Sequence, residues 1–205
     1  MKILALIIPI FLVSCSTAPN LGQRVQGNIE SFNNFGVSLD GLIYVEAGSE
    51  IKKGKLEFAS YKNKLESNLM NKGFQFTDEL STANYVLFLD YGIGNEKIRI
   101  GSYSVPTFGP TGGGTTTFYG NTAITNPSYG VTGSRTQTYS YSQYPRFVTI
   151  DIFEKESQKK VYEMTLKSSG ACSLMSEVMD EFLAALSNDF PNNSGSFIVP
   201  AIFDC

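Results

Sequence analysis

The stretch whose spacing comes nearest to known chemistry is "GPTGGGTTTFYG", Gly109 to Gly120. Gly109-x-x-x-x-Gly114 is the glycine spacing of a loop that cradles phosphate. Such a loop needs a lysine directly after its last glycine and a helix starting there, so that backbone amides converge on the phosphate oxygens. Thr115 stands at the lysine position, and "TTTFYGNTAITNPS" carries no helical pattern. The residues therefore predict no nucleotide site. Acid–base chemistry has few other carriers. Histidine is absent, which removes the commonest general base near neutral pH, every Ser–His or Cys–His nucleophile, and most zinc and copper sites. Two groups of carboxylates remain. Glu177, Asp180 and Glu181 fall at helical spacing, and Glu154 and Glu156 flank a turn. The first group suits the wet face and first turns of a helix, the second a solvated hairpin end. No catalytic residue, metal ligand or cofactor is expected.

Three cysteines are the remaining reactive side chains. Cys15 ends "MKILALIIPIFLVSC", in which one lysine precedes an apolar run from Ile3 to Val13. That run is shorter than the roughly 20 residues a spanning helix needs, so it reads as a cleaved signal. Leu12-Val13-Ser14-Cys15 resembles a bacterial lipobox. The resemblance implies diacylation of the Cys15 thiol, cleavage after Ser14, and acylation of the new amine. Each buried CH₂ contributes about 0.8 kcal/mol, so two or three acyl chains hold a protein on a membrane without a transmembrane helix. Ser16, where an Asp would retain some enterobacterial lipoproteins at the inner membrane, implies export to the outer membrane. Cys172 and Cys205 would then be the two remaining thiols. An even pair in an exported protein favours a disulfide, which would contribute about 3.7 kcal/mol in the chain-entropy model. Two free thiols, or a bond to another chain, are the alternatives.

Cleavage removes Lys2 and leaves 15 basic against 19 acidic side chains. A net negative charge gives no electrostatic reason to expect nucleic acid or an anionic membrane surface as a partner. Residues 15–27, polar with Pro and Gly, read as the lipidated N-terminus and tether, and residues 28–205 as one domain.

Within that domain Leu42–Val45 reads as a strand. Residues 56–72 read as an amphipathic helix with Phe58, Tyr61, Leu65 and Leu69 on one face and Gly73 just past its end. The nearly continuous apolar run "ANYVLFLDYGIG" suggests a central strand covered on both faces. "PRFVTIDIFE" and "VYEMTLK" alternate, with Val148, Ile150, Ile152, Tyr162, Met164 and Leu166 inward, as in an antiparallel hairpin. A second helix is expected from an N-cap at Ser173, burying Leu174, Val178, Phe182 and Leu186 and stopping at Pro191. Phe197–Val199 would be a short edge strand. The expected class is α+β: an antiparallel sheet with two amphipathic helices packed on one face.

Residues 101–144 stand apart. Of these 44 residues, 30 are Gly, Ser, Thr or Tyr, and Arg135 alone is charged. Three readings stay open: a mobile surface insertion, a long twisted β-hairpin with stacked tyrosines, or strands that pair between subunits or touch the membrane. Pro106, Pro110 and Pro127 should interrupt a long ladder. "SYSVPT" (102–107) and "SYGVTG" (128–133) faintly repeat, as two hairpin arms could.

The order "ANYVLFLDYGIG", "SYSVP", "SYGVTGSRTQTYS", "YPRFVTIDIFE", "DFPNNSG" resembles an uncharacterised family of bacterial lipoproteins bearing a domain of unknown function. The resemblance covers about residues 80–195. It implies envelope location and anchoring, with no chemistry to transfer. The functional expectation is a non-enzymatic binding or scaffolding module, held on the periplasmic face of the outer membrane by its lipid. Its contacts with an envelope protein or cell-wall glycan would run through residues 101–144, with Tyr103, Tyr119, Tyr129, Arg135, Tyr139 and Tyr141 as candidate binding residues. The alternative is a self-assembling structural subunit. A membrane-spanning arm would need outward apolar residues at every second position, which "TTTFYGNTAIT" lacks.

Overall fold

The computed structural model describes residues 24–33, 39–188, 190–192 and 194–200. Cys15, Cys205 and the expected signal segment lie outside them. Eight strands and two α-helices follow in the order β1 (Arg24–Asn33), β2 (Leu42–Ala47), α1 (Leu56–Met70), β3 (Gln75–Phe76), β4 (Tyr85–Ile93), β5 (Lys97–Tyr119), β6 (Thr122–Glu154), β7 (Lys160–Gly170), α2 (Met179–Asn188) and β8 (Gly195–Pro200). β1 starts at Arg24, so the last residues assigned to a tether belong to the sheet, and Val25 is buried.

The sheet runs β3-β2-β4-β6-β7-β1-β8, with β5 pairing β6 off this path. It is mixed. β2 is parallel to both β3 and β4, whereas β4–β6, β6–β7, β7–β1 and β1–β8 are antiparallel. This overturns the expected antiparallel sheet carrying two helices with a long insertion appended: strand outweighs helix, and residues 101–144 are themselves strand. The reason lies in the connections. Residues 48–84 carry α1 as a crossover, which returns the chain in the direction it left and makes β2 and β4 parallel. A two-residue or short turn would have reversed it.

One face of the sheet forms the core. Ile43 and Val45 of β2, Leu87 and Leu89 of β4, Val148, Ile150 and Ile152 of β6, and Met164 and Leu166 of β7 are all essentially sealed from solvent. Both helices contribute to the same cluster, α1 through Phe58, Tyr61, Leu65 and Leu69, α2 through Met179, Phe182, Leu183 and Leu186. Fully burying such side chains contributes about 1.5–3 kcal/mol each. β4 is not covered on both faces as expected. Tyr85, Leu87, Leu89 and Tyr91 are buried, while Val86, Phe88 and Asp90 between them are half-buried.

Helix α1 ends as its sequence predicts. Gly73 sits at φ +97°, and the Phe74 amide donates to the Leu69 carbonyl at 3.2 Å, closing the last turn in a glycine-dependent cap. α2 starts later than expected. Ser173 caps nothing in it; a short 3₁₀ turn, Met175–Glu177, comes first. The Glu177 carboxylate accepts the Leu174 amide at 3.3 Å, leaving Leu174 exposed while Val178, Phe182 and Leu186 are buried.

Candidate functional site: a two-stranded arm

The chain leaves the sheet after Ile93 and re-enters at Arg146, the residue paired with it. The Gly94 amide donates to the Pro145 carbonyl at 2.8 Å and closes the exit. Everything between is an antiparallel ribbon of β5 and the first part of β6, registered from Lys97↔Gln143 to Tyr119↔Thr122. At about 3.3 Å per residue, β5 spans roughly 75 Å. Its tip is a two-residue turn in which Gly120 takes φ +60°, a conformation glycine adopts without strain. Within the chain this segment is a hairpin; the reading in which its strands pair between subunits concerns contacts beyond one chain.

The prolines do not end the ladder. Two register shifts occur, between Thr107 and Phe108 and between Pro110 and Gly114. In a two-stranded ribbon each strand has one bare edge, where a missing N–H leaves no partner unsatisfied. The faint repeat is not a pairing register: of 102–107 and 128–133, only Thr107 and Gly133 face each other.

Register sorts the inner half of the arm into two faces. Arg99, Gly101, Tyr103 and Val105 stand opposite Tyr141, Tyr139, Gln137 and Arg135. The face therefore gathers four of the candidate residues, Tyr103, Arg135, Tyr139 and Tyr141. Ring centroids lie 6.1 Å apart for Tyr103–Tyr139 and 5.9 Å for Tyr139–Tyr141, and the Tyr103 hydroxyl donates to Gln137 Oε1 at 2.6 Å. The Tyr139 ring lies across Gly101, where a Cβ would come within 2.4 Å of a ring carbon. Phe147 covers Gly92 in the same manner across the β4–β6 pair. The opposite face alternates Ile98, Ile100, Ser102 and Ser104 against Ser142, Ser140, Thr138 and Thr136. Neither face is continuously apolar, so the pattern of a lipid-facing strand is absent. Tyr129, opposite Pro110, and Tyr119, at the tip, are not part of the tyrosine cluster. Phe108, Phe118 and Tyr129 are each more than 70% exposed.

Charge follows a different pattern in the domain and in the arm. Lys52–Asp90, Lys53–Glu46, Lys62–Asp78, Lys64–Asp180 and Lys160–Asp151 form ion pairs around the domain; between Gly101 and Tyr144 Arg135 is the lone charge. The carboxylates weighed for acid–base chemistry are dispersed: Asp180 pairs with Lys64 on α1 at 2.6 Å, Glu177 caps Leu174, and Glu154 accepts the Ser157 hydroxyl at 2.5 Å. Among the described residues no cluster of His, Cys, Asp or Glu could hold a metal ion, and no helix is long and apolar enough to cross a membrane. Cys172 is buried in the core; its expected partner Cys205 falls outside the described residues.

Two charged residues depart from the sequence reading: Glu181, expected on a wet helix face, is only 6% exposed because α2 turns it inward, and Arg146 is buried in the sheet. Arg146 shares the core-facing parity of Val148 and Ile150 and is only 4% exposed. Its Nε and Nη1 have no hydrogen-bond partner, its guanidinium lies 6.0 Å from the Phe182 ring, and a Cβ on Gly170 would strike Nη2. Burial pulls its pKa below the usual arginine range, against the opposing field of Glu177. The alternation in "PRFVTIDIFE" already placed it inward.

No protein-family model matches the chain, and no curated protein matches it. Among solved structures it is similar to a PDZ domain protein from Parabacteroides distasonis, with a TM-score of 0.43 and 11% identity over 86% of this chain and 38% of that one. It is also similar to a PelC dodecamer from Paraburkholderia phytofirmans, with a TM-score of 0.36 and 14% identity over 77% of this chain and 92% of that one. The chain thus spans well under half of the first protein, and at these scores neither likeness carries a functional conclusion.

Proposed function

We propose that the chain is a lipoprotein of the bacterial cell envelope, anchored through acylated Cys15, and that it works without catalysis as a binding or scaffolding module. The arm is its contact element. The observation that carries this reading is one face of the inner half of the arm, where Tyr103, Tyr139 and Tyr141 form an exposed tyrosine row between Arg99 and Arg135 on a registered ladder. Tyrosine gives large contact area at low entropic cost, with a hydroxyl left over for hydrogen bonding, and suits an envelope protein or a cell-wall glycan. An isolated two-stranded ribbon is marginal in water; a partner that covers it would supply the missing burial.

A second reading, self-assembly, is favoured by the two bare edges. Copies tethered to one membrane would align where they hold their arms the same way. Side by side, β6 of one arm then runs antiparallel to β5 of the next, a heterologous contact that closes rings or extends filaments.

The test compares crosslinked membranes from wild type with a variant in which residues 100–140 are replaced by Asn-Gly, a turn that rejoins Arg99 and Tyr141 in register. Loss of partner crosslinks in the clipped variant supports the reading, and an identical crosslink profile sinks it. Mixed-tag crosslinks between copies would select self-assembly. Cys15→Ser should move the protein from the membrane to the soluble fraction; a variant that still pellets with membranes would refute the lipid anchor.

A further inference from the structure

At the root of the arm the solvent-facing side of the sheet holds a cavity of about 520 Å³, lined by Lys97, Arg99, Gln143, Lys167, Ser169 and Asn28 among others. From these residues we infer a binding site for a phosphate group carried by a larger molecule. Five strands, β1, β5, β6, β7 and β8, assemble it. Lys97 and Arg99 alternate on β5, Lys167 lies on β7 opposite Asn28 of β1, and Gln143 opens the return strand opposite Lys97.

Two features mark the cavity off from the rest of the surface. No Asp or Glu lines it, although acidic residues outnumber basic ones in the chain. Further, it gathers three cations, Lys97, Arg99 and Lys167, that have no ion-pair partner among the described residues, a state they share with Lys55, Lys72, Lys155 and Lys159, which are dispersed over the rest of the chain. Three like charges around one cavity repel each other, and an anion between them reverses the sign of that interaction.

The geometry is also pre-set for an oxyanion. Arg99 Nε donates to Gln143 Oε1 at 2.9 Å, and Gln143 Nε2 donates to Ser169 Oγ at 3.0 Å. This relay fixes the guanidinium stem and leaves both terminal nitrogens free to take two oxygens of one phosphate in a fork. Lys167 and Lys97 supply point charges, and Asn28 a neutral amide. The volume exceeds that of a bare phosphate and leaves room for a glycerol or sugar beside it. A lipid headgroup and a soluble phosphate ester share this chemistry.

The experiment uses the purified full chain in neutral detergent and in nanodiscs, with Arg99→Gln/Lys167→Gln as the probe. Both residues are exposed, so the double variant keeps the fold, checked by its melting temperature. Titration with glycerol 3-phosphate, against glycerol as the neutral control, should give saturable binding weakened at least tenfold in the double variant. Hydrogen exchange in phosphatidylcholine nanodiscs with and without phosphatidylglycerol tests the lipid source: protection of cavity amides only with the anionic lipid assigns it to a headgroup. Absence of binding in both formats, or equal binding by wild type and double variant, overturns the inference. The variant with residues 100–140 replaced keeps every cavity residue. It should bind phosphate like wild type even where it loses protein partners, which separates this inference from the role of the arm.

Discussion

From Arg146 to Glu154, β6 has a strand on each side, β4 and β7; from Thr122 to Gln143 the same strand has only β5. The inner stretch puts Val148, Ile150 and Ile152 into a sealed core, and the outer stretch replaces them with Ser, Thr, Gly and Tyr, largely exposed. One strand thus lives under two regimes. In the domain, burial of aliphatic area dominates. In the arm, stability rests on backbone hydrogen bonds and cross-strand pairs worth about 0.2–1 kcal/mol each. The difference teaches that the arm is supported by the domain and adds little apolar burial to it, as expected of an element whose shape serves contact.

The widest separation between the regimes should come from a paired perturbation. Ile150→Ala opens a cavity in the core and should cost about 2–5 kcal/mol of unfolding free energy in urea, followed by circular dichroism. Replacing residues 100–140 by Asn-Gly removes far more chain and should shift the same midpoint by less than about 0.5 kcal/mol. A clipped protein as unstable as the Ile150 variant would show that the arm is part of the cooperative unit.

A smaller effect is expected inside the arm. Gly101→Val drives a side chain into the Tyr139 ring and breaks the stack with Tyr103 and Tyr141. Amide exchange along 99–105 and 135–141 should accelerate severalfold, the kinetic form of a local loss near 1 kcal/mol, with no change in the core melting temperature. The same substitution at Gly92, where Phe147 lies across the glycine but within the sheet, should lower that temperature. Identical behaviour at both glycines would erase the distinction.

Arg146 marks the boundary between the regimes. It is the first residue of the return strand to face the core, and its buried guanidinium leaves Nε and Nη1 unbonded. Arg146→Met keeps the length and apolar stem and removes the desolvated charge. We expect a gain of about 1 kcal/mol in urea unfolding. A loss of several kcal/mol would mean that the charge is compensated in solution, with Glu177 a source of opposing field.

How far all this was legible in sequence depended on how each element is held. α1, the β6–β7 hairpin and the inward residues of both were readable, because apolar periodicity and the Gly73 cap are local signals. The parallel pairing of β2 with β4 was missed, since it depends on how residues 48–84 cross the sheet. The start of α2 was misplaced because Glu177 satisfies Leu174 in a 3₁₀ turn, a solution that the N-cap pattern at Ser173 does not encode. The arm was hardest. Gly, Ser, Thr and Pro say "loop" by composition, yet a ribbon with bare edges tolerates all four. Its tyrosines were singled out, but only register shows that Tyr103, Tyr139 and Tyr141 share a face while Tyr119 and Tyr129 stand elsewhere. The phosphate cavity draws on β1, β5, β6, β7 and β8, and no local pattern unites them.

The finest of these contrasts is electrostatic, and it lies on α1. Glu66 is largely shielded, its Oε1 accepts no hydrogen bond, and Lys62 approaches it only to 3.6 Å. Burial raises its pKa above the ordinary value of 4.5, partly offset by the charge of Lys62. The folded state therefore binds the proton more tightly than the unfolded chain. The stability linked to that proton is fully present below about pH 4.5 and is lost as pH rises through the folded-state value. Glu66→Gln fixes the neutral form at every pH, while Lys62 keeps Asp78 at 3.0 Å. The variant should match wild type near pH 4 and become more stable than it by a few tenths of a kcal/mol at pH 7, the scale of a helix ion pair. The measurement is the difference in urea midpoint across that range. Since the arm between Gly101 and Tyr144 holds no carboxylate, this pH dependence should survive unchanged when residues 100–140 are replaced, and its disappearance there would tie the arm to the core after all.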